Sequence, residues 1–431
     1  MFNVTATILG LLVLLLGSSV WIGISLFMVG MAAFKLFTPS PPLTILSNIL
    51  WNSTNGSTMM ALPLFIFMGE ILFRSQISAN LFRGLSPWMN GLPGRLLHVN
   101  IAACALFAAV SGSSAATTAT VGKITVPELL KRKYDPSLSL GSLAGAGTLG
   151  FLIPPSLMML VYGIMSGVSI GKLFIAGVVP GIILAGAFSL YIALRCLLRP
   201  DLAPAGDLRY TWGDRIKALP LLLPVLLLIV LVLGSIYTGW ATPSEAAAVG
   251  VLGALFFAWI TRSMDGKAFR EALLGSVKTT CMIMLIVAGA SYLSVAVGYL
   301  GIPAKLTAFI GTLGLTKYQL IAILSVMYII LGCLLDGFSM IVMTLPLALP
   351  LIKAAGFDPL WFGIYLVIMI EIAQITPPVG FNLFVINSLS NESIFRIALY
   401  ALPSFIIMLL VVALITVYPQ LVLALPNTMI K

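Results

Sequence analysis

Apolar residues form long runs along almost the whole chain, and polar residues collect between the runs. Each run is about 20 residues long, which is enough to cross roughly 30 Å of hydrocarbon as a helix. The period-two alternation that marks transmembrane strands is absent from the sequence. The pattern predicts ten helical spans, at 4–16, 20–36, 58–73, 137–164, 170–195, 219–238, 244–260, 279–300, 359–387 and 398–425.

Two further apolar stretches, 98–130 and 322–352, have small or polar residues at their middle and are too long for one span. Each is predicted to be a helical hairpin that enters and leaves on the same side of the membrane. Segments 75–90 and 302–317 precede the hairpins at matching positions, and segment 263–276 is similarly amphipathic. These three segments are predicted to lie along the membrane surface, with a solvated loop as the alternative.

One pattern recurs in the chain at a constant offset of 223 positions. Pro127 corresponds to Pro350, and Pro154-Pro155 corresponds to Pro377-Pro378. Proline interrupts a helix because it lacks an N–H group and its ring blocks the preceding turn. Within a membrane such a break is tolerated where the freed backbone lines a cavity. Matching breaks in two halves of an apolar chain therefore point to the binding site of a transporter.

The offset divides the chain into two repeats. The first, residues 1–217, contains scaffold spans 1–73, hairpin 98–130, broken helix 137–164 and span 170–195. The second, residues 218–431, contains scaffold spans 219–260, span 279–300, hairpin 322–352, broken helix 359–387 and span 398–425. The predicted fold is an all-α polytopic membrane protein with an inverted structural repeat, two re-entrant helical hairpins and two broken helices.

Composition and charge support a membrane location. Only 8% of the residues are charged and the mean hydropathy is +1.12, so lipid must surround most of the chain. The net charge of +10 is explained by the retention of basic loops on the cytoplasmic side, and it does not indicate nucleic acid binding. The lone His98 has no catalytic partner at suitable spacing, and no phosphate-binding loop is present. The sequence therefore predicts a protein that is not an enzyme.

The distribution of Lys and Arg predicts the topology. Sixteen basic residues fall inside: Arg74, Arg83, Arg95, Lys131, Arg132, Lys133, Arg195, Arg199, Arg209, Arg215, Lys217, Arg262, Lys267, Arg270, Lys278 and Arg396. Six fall outside: Lys35, Lys172, Lys305, Lys317, Lys353 and Lys431. The first hairpin then exits inside and the second outside, which makes the two repeats inverted and puts both termini outside.

Hydroxyl groups cluster at the turn of the first hairpin, with six in the ten residues 111–120. They are open to two interpretations: hydrogen bonds back to helix carbonyls together with close packing, or a binding site at a helix broken by Gly112. The break at Pro154-Pro155 leaves carbonyl oxygens that suit a small alkali cation. The second half repeats the arrangement with the Asp336-Gly337 turn and a break at Pro377-Pro378.

Four carboxylates lie in apolar surroundings, where an ionisable group is a functional candidate by default. Asp336 is the strongest candidate because it lies at a hairpin tip. Glu70 and Glu371 are interpreted either as proton-coupling groups or as neutral or paired structural groups, and the second interpretation is slightly favoured. Glu128 is predicted to form an ion pair with Lys131 or Arg132.

Several motifs together resemble the large membrane subunit of tripartite ATP-independent periplasmic (TRAP) transporters, and the resemblance covers essentially the whole chain. The motifs are Ser111-Gly112-Ser113-Ser114, Lys133-Tyr134-Asp135-Pro136, Ile153-Pro154-Pro155-Ser156, Leu173-Phe174-Ile175-Ala176-Gly177, Thr242-Pro243-Ser244-Glu245-Ala246 and Ile375-Thr376-Pro377-Pro378-Val379-Gly380. One departure is Thr117, where many members carry Asp, so any role of that carboxylate is absent here.

The resemblance implies candidate ligands. One sodium site would use Ser111 or Ser113 with backbone near Gly150, Ile153 and Ser156. A second would use Asp336 and Gly337 with Ala373, Thr376 and Val379. Substrate would lie between the hairpin tips, with Ser113, Ser114, Ser156, Asp336 and Asn382 as candidate contacts.

The resemblance also implies a sodium-driven importer in the bacterial inner membrane that works by an elevator mechanism. Its partners would be a small four-span membrane subunit, a periplasmic substrate-binding protein, the lipid bilayer and a small organic acid. The alternative is a stand-alone ion-coupled symporter of related architecture that needs no binding protein. A channel and a non-transporting scaffold are further alternatives, and the repeat with its two broken helices argues against both.

Overall fold

The computed structural model describes residues 2–204 and 210–429. Over these ranges the chain is α-helical with two short 3₁₀ turns and no β-strand. The first half contains α1 (Phe2–Gly17), α2 (Ile22–Phe37), α3 (Pro42–Thr54), α4 (Ala61–Arg74), α5 (Ile77–Met89), α6 (Leu97–Ser111), α7 (Ser114–Lys131), α8 (Pro136–Gly147), α9 (Leu149–Leu152), α10 (Leu157–Ser166) and α11 (Ile170–Leu198).

The second half contains α12 (Trp212–Tyr237), α13 (Pro243–Ile260), α14 (Gly266–Tyr299), α15 (Ile302–Thr312), α16 (Lys317–Gly332), α17 (Gly337–Ala354), α18 (Pro359–Gln374), α19 (Phe381–Ser390), α20 (Ile394–Val417) and α21 (Gln420–Asn427). Two predicted placements, Arg209 on the inner side and Lys431 on the outer side, lie outside the described residues.

Length and apolar composition make this a polytopic membrane protein. In the described part of the chain, seven helices are long and apolar enough to cross a membrane. The number rises to eight if the bent pair Thr58–Arg74 and Ile77–Met89 is one span. The predicted spans at 4–16 and 20–36 fall on shorter apolar helices.

Burial separates a central helix from peripheral ones. Every residue from Leu360 to Gln374 in α18 is buried, so neighbouring helices surround α18 on all sides. In the most apolar 18-residue stretch of α12 only 28% is buried, and Leu227 and Val230 are exposed. A helix that is apolar on all sides but covered on only one is expected where lipid forms the rest of its environment.

Both predicted hairpins are pairs of helices joined by a short turn. In the first, α6 ends at Ser111 and is followed by Gly112, whose φ of 61° is left-handed, and α7 starts at Ser114. Glycine adopts this conformation at little cost because it has no Cβ. In the second, α16 and α17 are separated by four residues that end at Asp336, the N-cap of α17.

Neither proline pair lies inside a helix. The first interruption runs from Ile153 to Ser156, between α9 and α10. The second runs from Ile375 to Gly380, between α18 and α19. Both proline pairs contain a cis peptide bond. Because proline supplies no N–H, the preceding helix cannot continue through either pair, and both predicted helix breaks are present.

The helix boundaries follow the offset found in the sequence. Helices α7 and α17 begin at Ser114 and Gly337 and end at Lys131 and Ala354, and both pairs of positions are 223 apart. Helices α8 and α18 also begin 223 residues apart. These helix boundaries therefore follow the sequence offset, and the inverted structural repeat stays a prediction.

The three segments predicted to lie along the membrane surface are helical. For 75–90 and 302–317, which form α5 and α15, this excludes the alternative of a solvated loop, and their place along the membrane surface stays a prediction. Segment 263–276 is not a separate element, since most of it is the first part of α14, which contains no proline. Helix α14 is therefore 34 residues long and includes the predicted span 279–300.

The division of one span and the presence of one further helix were also not predicted. The predicted span 398–425 is divided, because α20 ends at Val417 and α21 starts after Pro419. Helix α3, from Pro42 to Thr54, was not predicted, because its mixture of Asn, Ser and Thr with apolar residues gives no span-length apolar run.

Candidate functional site

The hydroxyl groups at the tip of the first hairpin are paired with one another and with the backbone. The Ser111 Oγ lies 2.9 Å from the Thr117 Oγ1, and the Thr117 hydroxyl donates to the Ser113 carbonyl at 2.7 Å. Ser113 caps α7 by accepting from the Ala116 N–H at 3.4 Å. Thr117 therefore follows the first interpretation, in which a hydroxyl group bonds back to a helix carbonyl. The tip is a tight turn whose oxygens lie at the N-terminus of a helix, where the backbone dipole favours negative groups.

The first helix break packs against this tip through two glycines. A Cβ on Gly112 would lie 2.9 Å from the Pro155 carbonyl oxygen, and a Cβ on Gly150 would lie 2.5 Å from the Ser114 Cα. The Leu157 N–H also donates to the Gly112 carbonyl at 3.3 Å. Only glycine permits such close backbone approach. The structure therefore brings the hairpin tip and the break together.

Two more candidates for the first sodium site, Ser156 and Ile153, lie within the first helix break. Ser156 is buried and caps α10 by accepting from the Met159 N–H at 3.3 Å. Ile153 is half-buried, and its N–H donates to the Leu149 carbonyl at 2.9 Å. The Ser113 carbonyl oxygen would lie 2.6 Å from a Cβ on Gly150. The candidate residues for the first sodium site therefore lie in one region of the structure.

The carboxylate of Asp336 organises the tip of the second hairpin. It accepts from the Phe338 N–H at 3.0 Å and the Ser339 N–H at 3.4 Å, and it also accepts from the Ser339 hydroxyl. Asp336 is therefore the N-cap of α17. The neighbouring Gly337 is close to α18, since a Cβ there would lie 2.5 Å from the Ile370 Cγ2.

Backbone hydrogen bonds fold the second break into a compact loop. The Thr376 N–H donates to the Ala373 carbonyl at 3.2 Å, and the Gly380 N–H donates to the Thr376 carbonyl at 3.0 Å. The Thr376 hydroxyl donates to the Ile372 carbonyl at 2.6 Å, which leaves its lone pairs available to a ligand. Ala373 also contacts Gly332 at the end of α16, and Val379 is half-buried.

Groups from both halves meet at Glu371, in the last turn of the fully buried α18. One oxygen of its carboxyl group accepts from the Phe151 N–H at 2.6 Å, and the other lies 3.0 Å from the Ser114 Oγ. The Asn382 amide donates to the same Ser114 hydroxyl oxygen at 2.9 Å. Asn382 is buried, and its contact with substrate stays a prediction.

Sequence reasoning identified Glu371 but slightly favoured a structural role, and it missed Phe151 altogether. A usable signal for Glu371 was its charge inside a helix that is otherwise entirely uncharged between Asp358 and the break. Phe151 contributes through its backbone N–H, which no residue type reveals. Its ring also contacts the ring of Phe338, at 6.4 Å between centroids, which adds a second link between the two halves.

The other two carboxylates form ion pairs. Glu70 pairs with Arg74 at 3.1 Å, and Arg74 also pairs with Glu271 on α14 at 2.7 Å. Glu128 pairs with Arg132 as predicted. Glu70 therefore forms an ion pair, in agreement with its interpretation as a paired structural group.

A cavity of about 780 Å³ opens beside the second tip. Its walls come from the junction of α1 and α2, from α14 and from the second hairpin. The lining is mainly apolar and includes Lys278, Asp336 and Ser339. Asp336 is therefore accessible from a space large enough for a small organic molecule.

Comparison with known proteins identifies the family. Residues 9–421 match the family described as "Tripartite ATP-independent periplasmic transporter, DctM component". The chain is 35% identical over 406 residues to the C4-dicarboxylate TRAP transporter large permease protein DctM of Pseudomonas aeruginosa, covering 94% of each chain. It is 30% identical to the ectoine TRAP transporter large permease protein TeaC of Halomonas elongata, covering 97% of each chain.

Among solved structures, the fold is similar to the crystal structure of the Alcanivorax borkumensis YdaH transporter. The TM-score is 0.63 with 15% sequence identity, and the similarity covers 88% of this chain and 89% of that one. At this identity only the fold is shared. The sequence relatives are transporter permeases and not enzymes. The chain belongs to the DctM family, the large permease components of the tripartite ATP-independent periplasmic transporters.

Proposed function

We propose that this protein performs sodium-coupled secondary uptake of a small organic acid. The observation that carries the proposal is the contact of each hairpin with a broken helix, at the break in the first half and next to it in the second. Gly112 meets Pro155 in the first half, and Gly332, at the end of α16, meets Ala373 in the second. Helix breaks enclosed by protein expose backbone oxygens and N–H dipoles that can hold an ion and an anionic substrate.

Two sodium sites are assigned to these regions. The first uses Ser111 or Ser113 with the backbone near Gly150, Ile153 and Ser156. The second uses the turn of Asp336 and Gly337 with Ala373, Thr376 and Val379. Sodium is a hard cation that prefers oxygen ligands, and both regions are rich in carbonyl, hydroxyl or carboxylate oxygens.

The substrate is placed between the two tips, with Ser113, Ser114, Ser156, Asp336 and Asn382 as candidate contacts. Two helices, α7 and α17, start at the tips, and their N-terminal dipoles favour the negative end of an acid. The broken helices contain no arginine that could bind a carboxylate in two places. Relatives are named for C4-dicarboxylate and for ectoine, so the cargo is proposed only as a class.

The mechanism is proposed to be of the elevator type, in which the hairpins and broken helices move as one block. The block would comprise α6–α10 and α16–α19, and the scaffold would comprise the helices around α2, α4, α12, α13 and α14. An inverted arrangement of the two repeats places the equivalent breaks on opposite sides of one central site.

The partners are proposed to be a small four-span membrane subunit and a periplasmic substrate-binding protein. The chain would span the bacterial inner membrane with both termini in the periplasm. The proposed alternative is a stand-alone symporter. Uptake by liposomes with and without a binding protein distinguishes the two, since a stand-alone symporter is active when no binding protein is added.

Sodium coupling is tested with reconstituted liposomes carrying the whole system and an imposed sodium gradient. Thr376→Val and Asp336→Ala are expected to raise the sodium concentration needed for half-maximal uptake. The matched control is Thr416→Val, because Thr416 donates to the Val412 carbonyl at 2.6 Å, as Thr376 does to Ile372, but lies on α20. Unchanged sodium dependence in both Thr376→Val and Asp336→Ala would overturn the sodium assignment.

A further inference from the structure

The cavity beside the second hairpin tip contains a positive charge that has no counterion. Lys278 lines this space of about 780 Å³ together with mainly apolar side chains. Within residues 2–204 and 210–429 its ammonium group takes part in no ion pair. A cation that borders an apolar space attracts an anion more strongly than the same cation does in bulk water. The cavity is therefore a candidate site for a negatively charged ligand.

A single face of α14 brings Lys278 to the cavity. Lys278, Cys281, Met282 and Leu285 all line the space, and they follow the i, i+3, i+4, i+7 spacing of one helix face. The other walls are the turn between α1 and α2 and the second hairpin tip. Lys278 is therefore the basic end of an otherwise apolar stripe that borders the cavity.

Packing of α2 against α14 shows at which end of the molecule Lys278 lies. A Cβ on Gly23 would lie 2.8 Å from the Leu285 Cγ, and a Cβ on Gly30 would lie 2.7 Å from the Tyr292 Cδ1. Both contacts advance by seven residues, so the two helices run in the same direction. The turn before α2 and Lys278 therefore lie at the same end, which the distribution of basic residues predicts to be the inner one.

The other charged groups in this part of the structure do not neutralise Lys278. Asp336, the second charged residue of the lining, accepts from two backbone N–H groups at the start of α17, where the helix dipole stabilises its charge. Glu271, the acidic residue of α14, forms its ion pair with α4. Arg270 is the nearest other basic residue of α14, and it lies about 12 Å before Lys278 along the helix.

A role in membrane topology alone explains Lys278 less well. Arg262, Lys267 and Arg270 already mark the predicted inner end of α14. A charge that serves only orientation can lie on any side of the helix, whereas Lys278 lies on the side that borders the cavity. Its position is better explained by a ligand in that space.

We propose that this cavity is a carboxylate-binding site, in which the Lys278 ammonium group holds the negative end of the cargo on the inner side. The proposal rests on the proposed uptake of a small organic acid. It adds a contact on α14, a scaffold helix, to the contacts proposed at the hairpin tips. The volume accommodates a small organic acid, and the apolar walls strengthen the attraction between ammonium and carboxylate groups. Lys278 therefore favours anionic over neutral cargo at the release step.

Thiol labelling at Cys281 tests the charge of the cavity. Cys281 is exposed and lines the cavity three residues after Lys278, Cys104 and Cys196 are buried, and Cys333→Ser removes the remaining partly exposed thiol. Inside-out membrane vesicles that contain the full chain are treated with an anionic or a cationic methanethiosulfonate. At about 6 Å in water a unit charge changes each labelling rate about threefold, in opposite directions. Lys278→Gln should therefore lower the ratio of anionic to cationic labelling about tenfold.

Two matched controls separate the charge of Lys278 from other effects. Lys278→Arg keeps the charge, and Lys267→Gln removes a charge of the same helix about 21 Å from Cys281 along its axis. Both should keep the ratio of the Cys333→Ser protein. An unchanged ratio in Lys278→Gln would overturn the proposal. Failure of both reagents to label Cys281 would show that lipid fills the cavity, and it would overturn the proposal as well.

Protection of Cys281 by a carboxylate tests binding itself. Succinate, a C4-dicarboxylate, should slow labelling by a neutral methanethiosulfonate in a saturable way at constant ionic strength. Lys278→Gln should need about tenfold more succinate, because a charge-assisted contact is lost. The diamide of succinate has the same carbon chain without the charges and should not protect. Absence of protection by succinate, or equal protection by the diamide, would contradict a carboxylate site.

The two sets of measurements keep this site distinct from sodium-coupled uptake. Sodium-dependent uptake without protection of Cys281 would refute the carboxylate site and leave the proposed function standing. Protection of Cys281 that depends on Lys278, in a protein whose uptake does not depend on sodium, would leave the site standing and refute sodium coupling.

Discussion

The Ser114 Oγ lies 3.0 Å from the Glu371 Oε2, although the two residues are 257 positions apart. Ser114 starts the second helix of the first hairpin, and Glu371 lies in the last turn of α18 before the second break. The contact connects the tip of one half to the broken helix of the other. A movement that separates the two halves at this point must break it.

Replacement of Glu371 by leucine is expected to destabilise the protein. The change leaves the buried Phe151 N–H and one contact of Ser114 without a partner, and each unsatisfied buried group costs about 1–3 kcal/mol. Glu371→Gln should be milder, because an amide can both accept from Phe151 and donate to Ser114. Melting temperatures in one detergent measure this, and equal losses in the two variants would contradict it.

Gly150→Ala is expected to separate the first hairpin tip from the break. Its new methyl group would lie 2.5 Å from the Ser114 Cα and 2.6 Å from the Ser113 carbonyl oxygen, and backbone atoms cannot turn aside. Overpacking of this kind costs about 1–3 kcal/mol. Both the melting temperature and the uptake rate should fall.

The matched control for this variant is Gly186→Ala. Gly186 lies inside α11, and a Cβ there would meet nothing within 4 Å. Alanine favours a helix over glycine by up to about 1 kcal/mol, so this variant should be as stable as the wild-type protein or more stable. Similar losses in the two alanine variants would show that close packing at Gly150 is not the cause.

Two substitutions separate the capping role of Asp336 from its charge. Asn retains the side-chain oxygen that accepts from the Phe338 N–H, whereas Ala removes it. Loss of an N-cap costs about 0.5–2 kcal/mol, so Asp336→Ala should melt lower than Asp336→Asn. If the charge helps to bind sodium, both variants should show weaker sodium dependence of uptake. Normal sodium dependence in Asp336→Asn would show that the charge of Asp336 does not take part in sodium binding and that the residue acts only as an N-cap.

The ion pair between Arg74 and Glu271 is expected to contribute little to stability. It joins α4 to α14 at 2.7 Å, but both side chains are partly exposed, at 27% and 48%. Pairs of this kind contribute about 0.2–1 kcal/mol. Glu271→Gln should therefore lower the melting temperature only slightly and leave the sodium dependence unchanged. A large change in either would assign this pair a role in transport.

Local sequence patterns were sufficient for the hairpins and the helix breaks. The helices end at Gly112 and before the two proline pairs, where the left-handed turn and two successive residues without an N–H group oppose continuation, whereas single prolines such as Pro127 and Pro180 lie inside helices. Helix α3 was missed because its polar residues hide the apolar pattern, and α14 was divided because its amphipathic start was read apart from its apolar part.

The amino-acid sequence by itself determined the membrane class and the helix breaks, and it showed the pattern that recurs at an offset of 223, since all three follow from hydropathy and residue identity along the chain. Only the tertiary structure decided that Glu371 meets Ser114 and the Phe151 N–H. Those partners are 257 and 220 positions away, and one of them is a backbone group that every residue except proline carries. Such a contact depends on how the two halves pack, and no local pattern encodes it.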